Sequence, residues 1–230
     1  MRRKEEKSHE TRIERVLSRH RLVASLYDKR SGYYDLLVHL LSGGRDWHYR
    51  KIAVDRLQLH PGDQVLDMGC GTGMDIPLLC RRVGHEGRVV GLDLSKGMIR
   101  RAKKRLSRNL SLNISLIHGN ALYLPFESKS FDAVFCDYLI STVPAVMVIK
   151  EAFRVARPGA SMVFADDRLP SGWFASPLKA ITGFFRHGYF NSAVAGMDFL
   201  RANLSSVKIT NHHAGLIFVI SGIFQGWVAD

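Results

Sequence analysis

The sequence predicts a doubly wound α/β fold: a mostly parallel seven-stranded sheet that ends in an antiparallel hairpin, preceded by N-terminal helices. Three observations carry this expectation. From residue 64 onward, short apolar runs alternate with helical-period segments, the pattern of repeated βαβ units. The first run opens into Gly69-Cys70-Gly71-Thr72-Gly73, and the second ends in Asp93 about twenty residues later. Near the C-terminus, two apolar runs are joined only by His212-His213-Ala214-Gly215, too short a link for a parallel crossover.

The elements follow in order. Residues 9–57 read as helical, because Ile13, Val16, Leu17, Leu22, Val23 and Leu26 recur mostly at three- and four-residue spacing. Ser31-Gly32 breaks that pattern, Leu36, Leu37, Leu40 and Leu41 resume it, and a third piece runs over 47–57. The turn His60-Pro61-Gly62-Asp63 then separates an N-terminal helical cap, residues 1–57, from a ligand-binding domain, residues 58–230. In the second part the strands are expected at 64–68, 88–94, 114–118, 131–137 and 161–166. Helices are expected at 74–83, 96–108 and 146–156, the last stopped by Arg157-Pro158-Gly159. The hairpin comprises 207–211 and 216–224. In a parallel sheet of this kind, right-handed crossovers bring the carboxyl ends of the strands to one edge, where ligands bind.

At 230 residues, 46% apolar and 23% charged, the chain has the composition of an ordinary globular protein. No apolar run reaches the roughly 18 residues of a membrane-spanning helix, and the charged start Met1-Arg2-Arg3-Lys4 does not read as a secretory signal. Cys70, Cys80 and Cys136 are too few for a disulfide framework and show no zinc-ligand spacing. A reducing cytoplasm is the expected compartment. The net charge of +12 is the unusual quantity, and it favours an anionic partner. It concentrates in the first thirty residues and in a block holding Lys96, Arg100, Arg101, Lys103, Lys104, Arg105 and Arg108 without an acid. That block reads either as a solvated helix face or as an attachment surface for an anionic membrane. Nucleic acid is disfavoured, since the basic block has no interleaved aromatics and no appended RNA-binding module is visible.

The glycine loop is the sharpest chemical signal. Without side chains, Gly69 and Gly71 can turn tightly and admit a ligand to the backbone. The following helix N-terminus favours a carboxylate or phosphate, and Asp67 at the strand end can accept from a cationic amine. Asp93 has the spacing at which an acid grips ribose hydroxyls. Loop and acid alone also fit a nicotinamide dinucleotide. The run G-x-G-x-G, rather than G-x-G-x-x-G, and the C-terminal hairpin favour S-adenosylmethionine, which carries an amine and a carboxylate on its methionine end. Asn120 is placed either to meet an adenine edge or to cap its own turn.

Taken together, these residues resemble the class I S-adenosylmethionine-dependent methyltransferases over residues 34–167. The likeness is greatest to the ubiquinone and menaquinone biosynthesis C-methyltransferases and the bacterial phosphatidylethanolamine N-methyltransferases. It is carried by Tyr34-Asp35-Leu36-Leu37, by Asn120 through Phe126 with Ser130-Phe131-Asp132, and by Glu151-Ala152-Phe153-Arg154-Val155 with Arg157-Pro158-Gly159. The phrase Tyr138-Leu139-Ile140-Ser141-Thr142-Val143-Pro144 looks more like the phospholipid enzymes. The resemblance implies that Asp67, Gly69, Gly71 and Gly73, with Cys70 in the same loop, hold the methionine part. It further implies Asp93 on the ribose, Leu94 and Met98 flanking the adenine, and Asn120 with Ala121 at its edge. Asp137 or Tyr138 would line the reactive side, and Tyr34 would close over it. Where Asn120 stands, the family usually has Asp, and the arginine-rich pattern that follows the fifth strand in the quinone enzymes is missing here.

The implied reaction is methyl transfer to a small, lipid-like acceptor, a quinone precursor or a phospholipid amine; a soluble amine or phenol is the alternative. A ring-carbon nucleophile needs a general base near a ring hydroxyl, for which His39, His48, Asp166, His187 and His212 are candidates, none singled out. Residues 173–190 mix aromatics with Lys179, Arg186 and His187 and read as a lid, either core-covering or lying on the inner face of a membrane.

Overall fold

The computed structural model describes residues 22, 25–29, 31–41, 43–107, 113–167, 190–212 and 217–226. Residues 25–29 are helical. They are followed by α1 (Tyr34–Leu41), α2 (Asp46–Asp55), β1 (Gln64–Met68), α3 (Ile76–Val83), β2 (Arg88–Asp93), α4 (Lys96–Leu106), β3 (Ile114–His118) and β4 (Phe131–Asp137). The chain continues through α5 (Ala145–Val155), β5 (Ala156–Asp167), α6 (Phe190–Asn203), β6 (Ser205–His212) and β7 (Ile217–Phe224).

The seven strands form one sheet in the order β3-β2-β1-β4-β5-β7-β6. Strands β1 to β5 are parallel to one another. β7 pairs antiparallel with β5, and β6 antiparallel with β7. The expected hairpin therefore forms, with its second arm inserted next to β5. Six strands share one direction and β7 alone opposes them. The strand order reverses between β1 and β4, so their carboxyl ends open a crevice at the switch point.

Burial follows this topology. The central strands are almost wholly buried, as expected where helices cover both faces. The edge strand β6 instead alternates between half-buried and exposed positions. Successive residues of β1 and β4 point to opposite faces. Leu66, Met68, Val134 and Cys136 join a core with Val148, Ile149, Ala152 and Phe153 of α5 and Met197 and Leu200 of α6. Val65, Ala133 and Phe135 join a second core with Leu79 of α3, Ala102 of α4, and Ala53 and Val54 of α2. The N-terminal helix α2 thus packs into the same core as the crossover helices.

Helix ends obey local chemistry. The Ser95 hydroxyl accepts the Met98 N–H at 3.1 Å and caps α4, whose last turn carries Lys103, Lys104 and Arg105 toward the negative end of the helix dipole. α3 carries Pro77 in its first turn and stops at Gly84. Two departures from expectation stand out. β5 begins at Ala156, ahead of the expected turn; the pairing then jumps from Phe131↔Ala156 to Ala133↔Ser161, so the Pro158-Gly159 turn survives as a bulge inside the strand. α6, over Phe190–Asn203, was not expected from the sequence. The basic residues 2–21, Arg108, the lid residues 173–189, and the hairpin link 213–216 lie outside the described residues.

Candidate cofactor site

A cleft with an empty volume of about 680 Å³ opens at the switch point. Its floor is the turn after β1. Gly71 (φ +53°) and Gly73 (φ +76°) both adopt left-handed backbone, and the two do different things. A Cβ on Gly73 would sit 3.1 Å from Ala102 Cβ, so this glycine lets the turn pack against α4. A Cβ on Gly71 would meet only the Gly69 carbonyl at 4.0 Å and would otherwise project into open space. Gly71 therefore leaves room for a ligand to approach the main chain.

Asp93, at the end of β2, faces that turn. Its Oδ2 accepts the Gly71 N–H at 3.0 Å and its Oδ1 accepts the Ser95 N–H at 2.7 Å. Burial nevertheless pushes its carboxyl up to about 6, outweighing those two hydrogen bonds. Asp67 is only 1% exposed, and its Oδ2 has no hydrogen-bond partner. Burial, and next the charges of Asp75 and Asp137, hold its carboxyl well above the usual carboxylate range. Titratable groups with raised proton affinity in and beneath a switch-point crevice are what a ligand site there would show.

The N-terminal segment completes the cleft. Asp28 Oδ1 accepts the Ser95 hydroxyl at 2.6 Å and the Gly97 N–H at 2.7 Å, adding a second acceptor to the start of α4. Burial raises the Asp28 carboxyl, but these bonds outweigh it and its pKa falls below the ordinary value. Arg105 of α4 donates to the Thr72 carbonyl at 2.6 Å, to the Thr72 hydroxyl at 2.7 Å and to Asp35 Oδ2 at 2.5 Å. The Thr72 hydroxyl in turn donates to Asp35 Oδ1 at 2.6 Å. This clamp joins α1, the glycine turn and α4. It brings Tyr27 and Tyr34, in edge-to-face contact at 5.7 Å, onto the cleft wall.

Of the residues the sequence singles out, Gly69, Gly71, Asp93, Leu94, Met98, Ala121, Asp137, Tyr138 and Tyr34 all line the cleft. Cys70 and Asp67 lie just beneath it, buried. Asn120 is not on the cleft wall; its Oδ1 accepts the Leu122 N–H at 3.0 Å, the turn-capping geometry. Tyr138 is a non-glycine residue at φ +54°, and its N–H is fixed to the Ala165 carbonyl at 2.9 Å. Strained backbone of this kind persists where the surroundings over-determine it, commonly at functional sites. Sequence reasoning missed Tyr27, Leu92, Ser95, Leu139, Thr142 and Val143, which complete the wall. Ser95 had a visible signal, as the hydroxyl residue just before a helix; Tyr27 had none.

The candidate bases do not meet at the cleft. His39 Nδ1 pairs with Asp46 at 2.9 Å, and His212 Nε2 lies 2.9 Å from the Thr210 hydroxyl. Asp166 accepts the Ser141 N–H at 2.8 Å and the Ser141 hydroxyl at 2.7 Å. The His48 ring meets the Tyr49 ring edge-on, with centroids 5.8 Å apart, and His187 lies outside the described residues.

Comparison with known proteins agrees with this geometry. Residues 65–159 match the family described as a methyltransferase domain. The chain is 34% identical over 163 residues to a demethylmenaquinone methyltransferase of Alkalihalophilus pseudofirmus, covering 70% of this chain and 66% of that one. It is 35% identical over 164 residues to the demethylmenaquinone methyltransferase of Geobacillus kaustophilus, covering 71% and 67% respectively. The chain thus spans just under two thirds of the length of the first of these relatives. In fold it is similar to geranyl diphosphate C-methyltransferase from Streptomyces coelicolor, crystallised with Mg2+, geranyl diphosphate and S-adenosyl-L-homocysteine. The TM-score is 0.61 at 17% identity, over 77% of this chain and 78% of that one. A glycine turn and a β2 acid facing one crevice, in a chain this close to its curated relatives, make it a member of the class I S-adenosylmethionine-dependent methyltransferases, near the menaquinone C-methyltransferases.

Proposed function

We propose that this chain transfers the methyl group of S-adenosylmethionine to a small, lipid-like acceptor, a quinone precursor of the naphthoquinol type. Gly71 carries the cofactor half of this reading: its missing side chain leaves open space beside the half-buried carboxylate of Asp93. The unsatisfied Oδ2 of Asp67 fits the ammonium of the methionine end. Bound S-adenosylmethionine supplies a methyl group already activated by a positive sulfur. What remains for the chain is to hold, align and exclude water, from which proximity and orientation supply most of the acceleration. Asp93 would take the ribose hydroxyls on the lone pairs left free by its two N–H donors. Asp67 and the 69–73 turn would take the amino-acid end, and Leu94, Met98 and Ala121 would wall the adenine. Asp137 and Tyr138 would border the reacting side, and Tyr34 with Tyr27 would shield it from water.

The acceptor half rests on the apolar wall formed by Tyr27, Leu139 and Val143, and on the curated relatives, which act on demethylmenaquinone by name. Purified chain given S-adenosylmethionine labelled in the methyl group is expected to label a prenylated naphthoquinol. It should leave phosphatidylethanolamine and water-soluble phenols and amines far behind. Turnover confined to a soluble amine or phenol would sink the lipid acceptor while leaving the cofactor assignment intact.

Reaching such an acceptor calls for contact with a membrane. Among the described residues, no helix is long and apolar enough to cross one. Supporting peripheral contact, Lys96, Arg100, Arg101, Lys103 and Lys104 of α4 are all exposed. Beside them, Leu36 and Leu40 share one face of α1 and are 60% and 67% exposed, and Tyr33 in the turn before it is 51% exposed. Cations near an anionic surface contribute about 1 kcal/mol each, and inserted apolar side chains add to that. The chain is expected to sediment with anionic vesicles at low salt and to be released as salt rises. Sedimentation that is absent even at low salt would refute the contact.

A further inference from the structure

Beneath the cleft lies a buried charged cluster that joins the N-terminal helices to the sheet. Arg50 of α2, 8% exposed, donates to Asp137 Oδ2 at 2.7 Å and also bonds Asp75 Oδ2. Asp75 starts α3 directly after the glycine turn, and Asp137 ends β4. The guanidinium lies 5.6 Å from the Tyr138 ring centroid, against the strained residue of the cleft wall. Asp67 is the third acid near it. One cation therefore faces three carboxylates. Three buried atoms of this one cluster, Asp67 Oδ2, Asp75 Oδ1 and Arg50 Nε, have no hydrogen-bond partner. Burial works against the Arg50 charge, but Asp75 and Asp137 hold it firmly protonated.

We propose that Arg50 is a positioning residue for the amino-acid end of the cofactor: by bridging Asp75 and Asp137 it fixes these carboxylates beside Asp67 and offsets the negative charge of the cluster, so that Asp67 and Asp137 can receive an ammonium. This rests on the S-adenosylmethionine reading above. The family match begins at Val65 and does not include Arg50. The physical argument is charge balance. With Arg50 present, one guanidinium is shared among three carboxyl groups, and an incoming ammonium adds a second cation. Without it, three buried carboxyl groups would face each other with no guanidinium between them, and carboxyls in that situation take up protons. A protonated acid no longer attracts the ammonium. The adenosine end, held at Asp93 and Met98, lies on the β2 side of the cleft and is untouched by this change.

That division gives the test. S-Adenosylhomocysteine carries the amino-acid end; 5′-methylthioadenosine has the same adenosine and thioether but lacks that end. Calorimetry on the full chain should find Arg50→Met binding S-adenosylhomocysteine at least about tenfold more weakly, with 5′-methylthioadenosine within about twofold of the unsubstituted chain. Arg50→Lys keeps a cation with three N–H donors but on a shorter side chain without the planar guanidinium, and is expected between the two. It also keeps the test open if Arg50→Met does not fold. Equal weakening of both ligands would mark Arg50 as a merely structural pair and overturn the proposal, as would unchanged binding of both. If the unsubstituted chain binds neither ligand, it is the cofactor reading that falls.

Discussion

Phe153→Ala should destabilise the fold by about 3–5 kcal/mol, the range for removing a fully buried phenylalanine from a close-packed core. Phe153 is 1% exposed on α5 and lies parallel to Phe224 of β7, with ring centroids 4.6 Å apart and planes 8° apart. It also stacks on Phe199 of α6 at 5.9 Å. One side chain therefore joins a crossover helix, the reversed strand and the helix that leads into the hairpin. Aromatic pairs of this geometry add about 0.5–1.5 kcal/mol each beyond the area they bury, which places the expected loss toward the upper end. In a thermal melt it corresponds to a fall of roughly 6–20 °C for a chain of this length. A loss below about 1 kcal/mol would mean that α6 and β7 are not seated on α5 as described. Cofactor affinity should be unchanged wherever the variant remains folded, because Phe153 is not part of the cleft wall.

The same contacts explain what could and could not be read from the sequence. β1, β3 and β4 fall on the residues expected of them because their signals are local: β-branched or apolar runs closed by turns. α6 was not legible for a tertiary reason. Gly196 sits in its middle, and glycine there weakens any helical reading. A Cβ on Gly196 would lie 2.7 Å from Ala145 Cβ, so the glycine is what permits α6 to approach α5. Insertion of β7 next to β5 did leave a trace. Ile217–Phe224 is nearly all apolar, as a strand covered on both faces must be, whereas Ser205–His212 is mixed, as an edge strand can be. In the site, Gly71 and Asp93 were visible because a turn and a strand end sit at a fixed spacing. Arg50 and Asp137 are 87 residues apart, and Arg105 and Asp35 are 70 apart. Neither pairing has a local signature, and each forms only once the N-terminal helices lie against the sheet.

Asp93→Ala should weaken S-adenosylhomocysteine and S-adenosylmethionine by about 1.5–3 kcal/mol, roughly 10- to 150-fold, as expected for lost hydrogen bonds to a charged carboxylate. The Gly71 and Ser95 N–H groups lose their acceptor at the same time, so part of the effect is a looser turn. Asp93→Asn separates the two contributions, because it keeps an acceptor oxygen and removes the charge. Its pH dependence then identifies the group. In the ligand-free chain, burial raises the Asp93 carboxyl to about 6, so its proton is held more tightly folded than unfolded. The sign follows from linkage: this group favours the fold below its unfolded value near 4, and that contribution is lost as pH rises through about 6. Ribose donors that bind the ionised form offset the loss. Affinity should therefore fall as pH drops through about 6, and thermal stabilisation by ligand should be larger at about pH 7.5 than at about pH 5.5. 5′-Methylthioadenosine is the cleanest probe, since it leaves Asp67 out of the measurement. With that ligand the unsubstituted chain should lose affinity below about pH 6, while Asp93→Asn should be weak and flat across the same range. An Asp93→Ala chain that binds S-adenosylhomocysteine as tightly as the unsubstituted one would remove Asp93 from the site. The same chains at constant pH and varied salt would show little change, because a half-buried carboxylate is screened less than the exposed cations of α4.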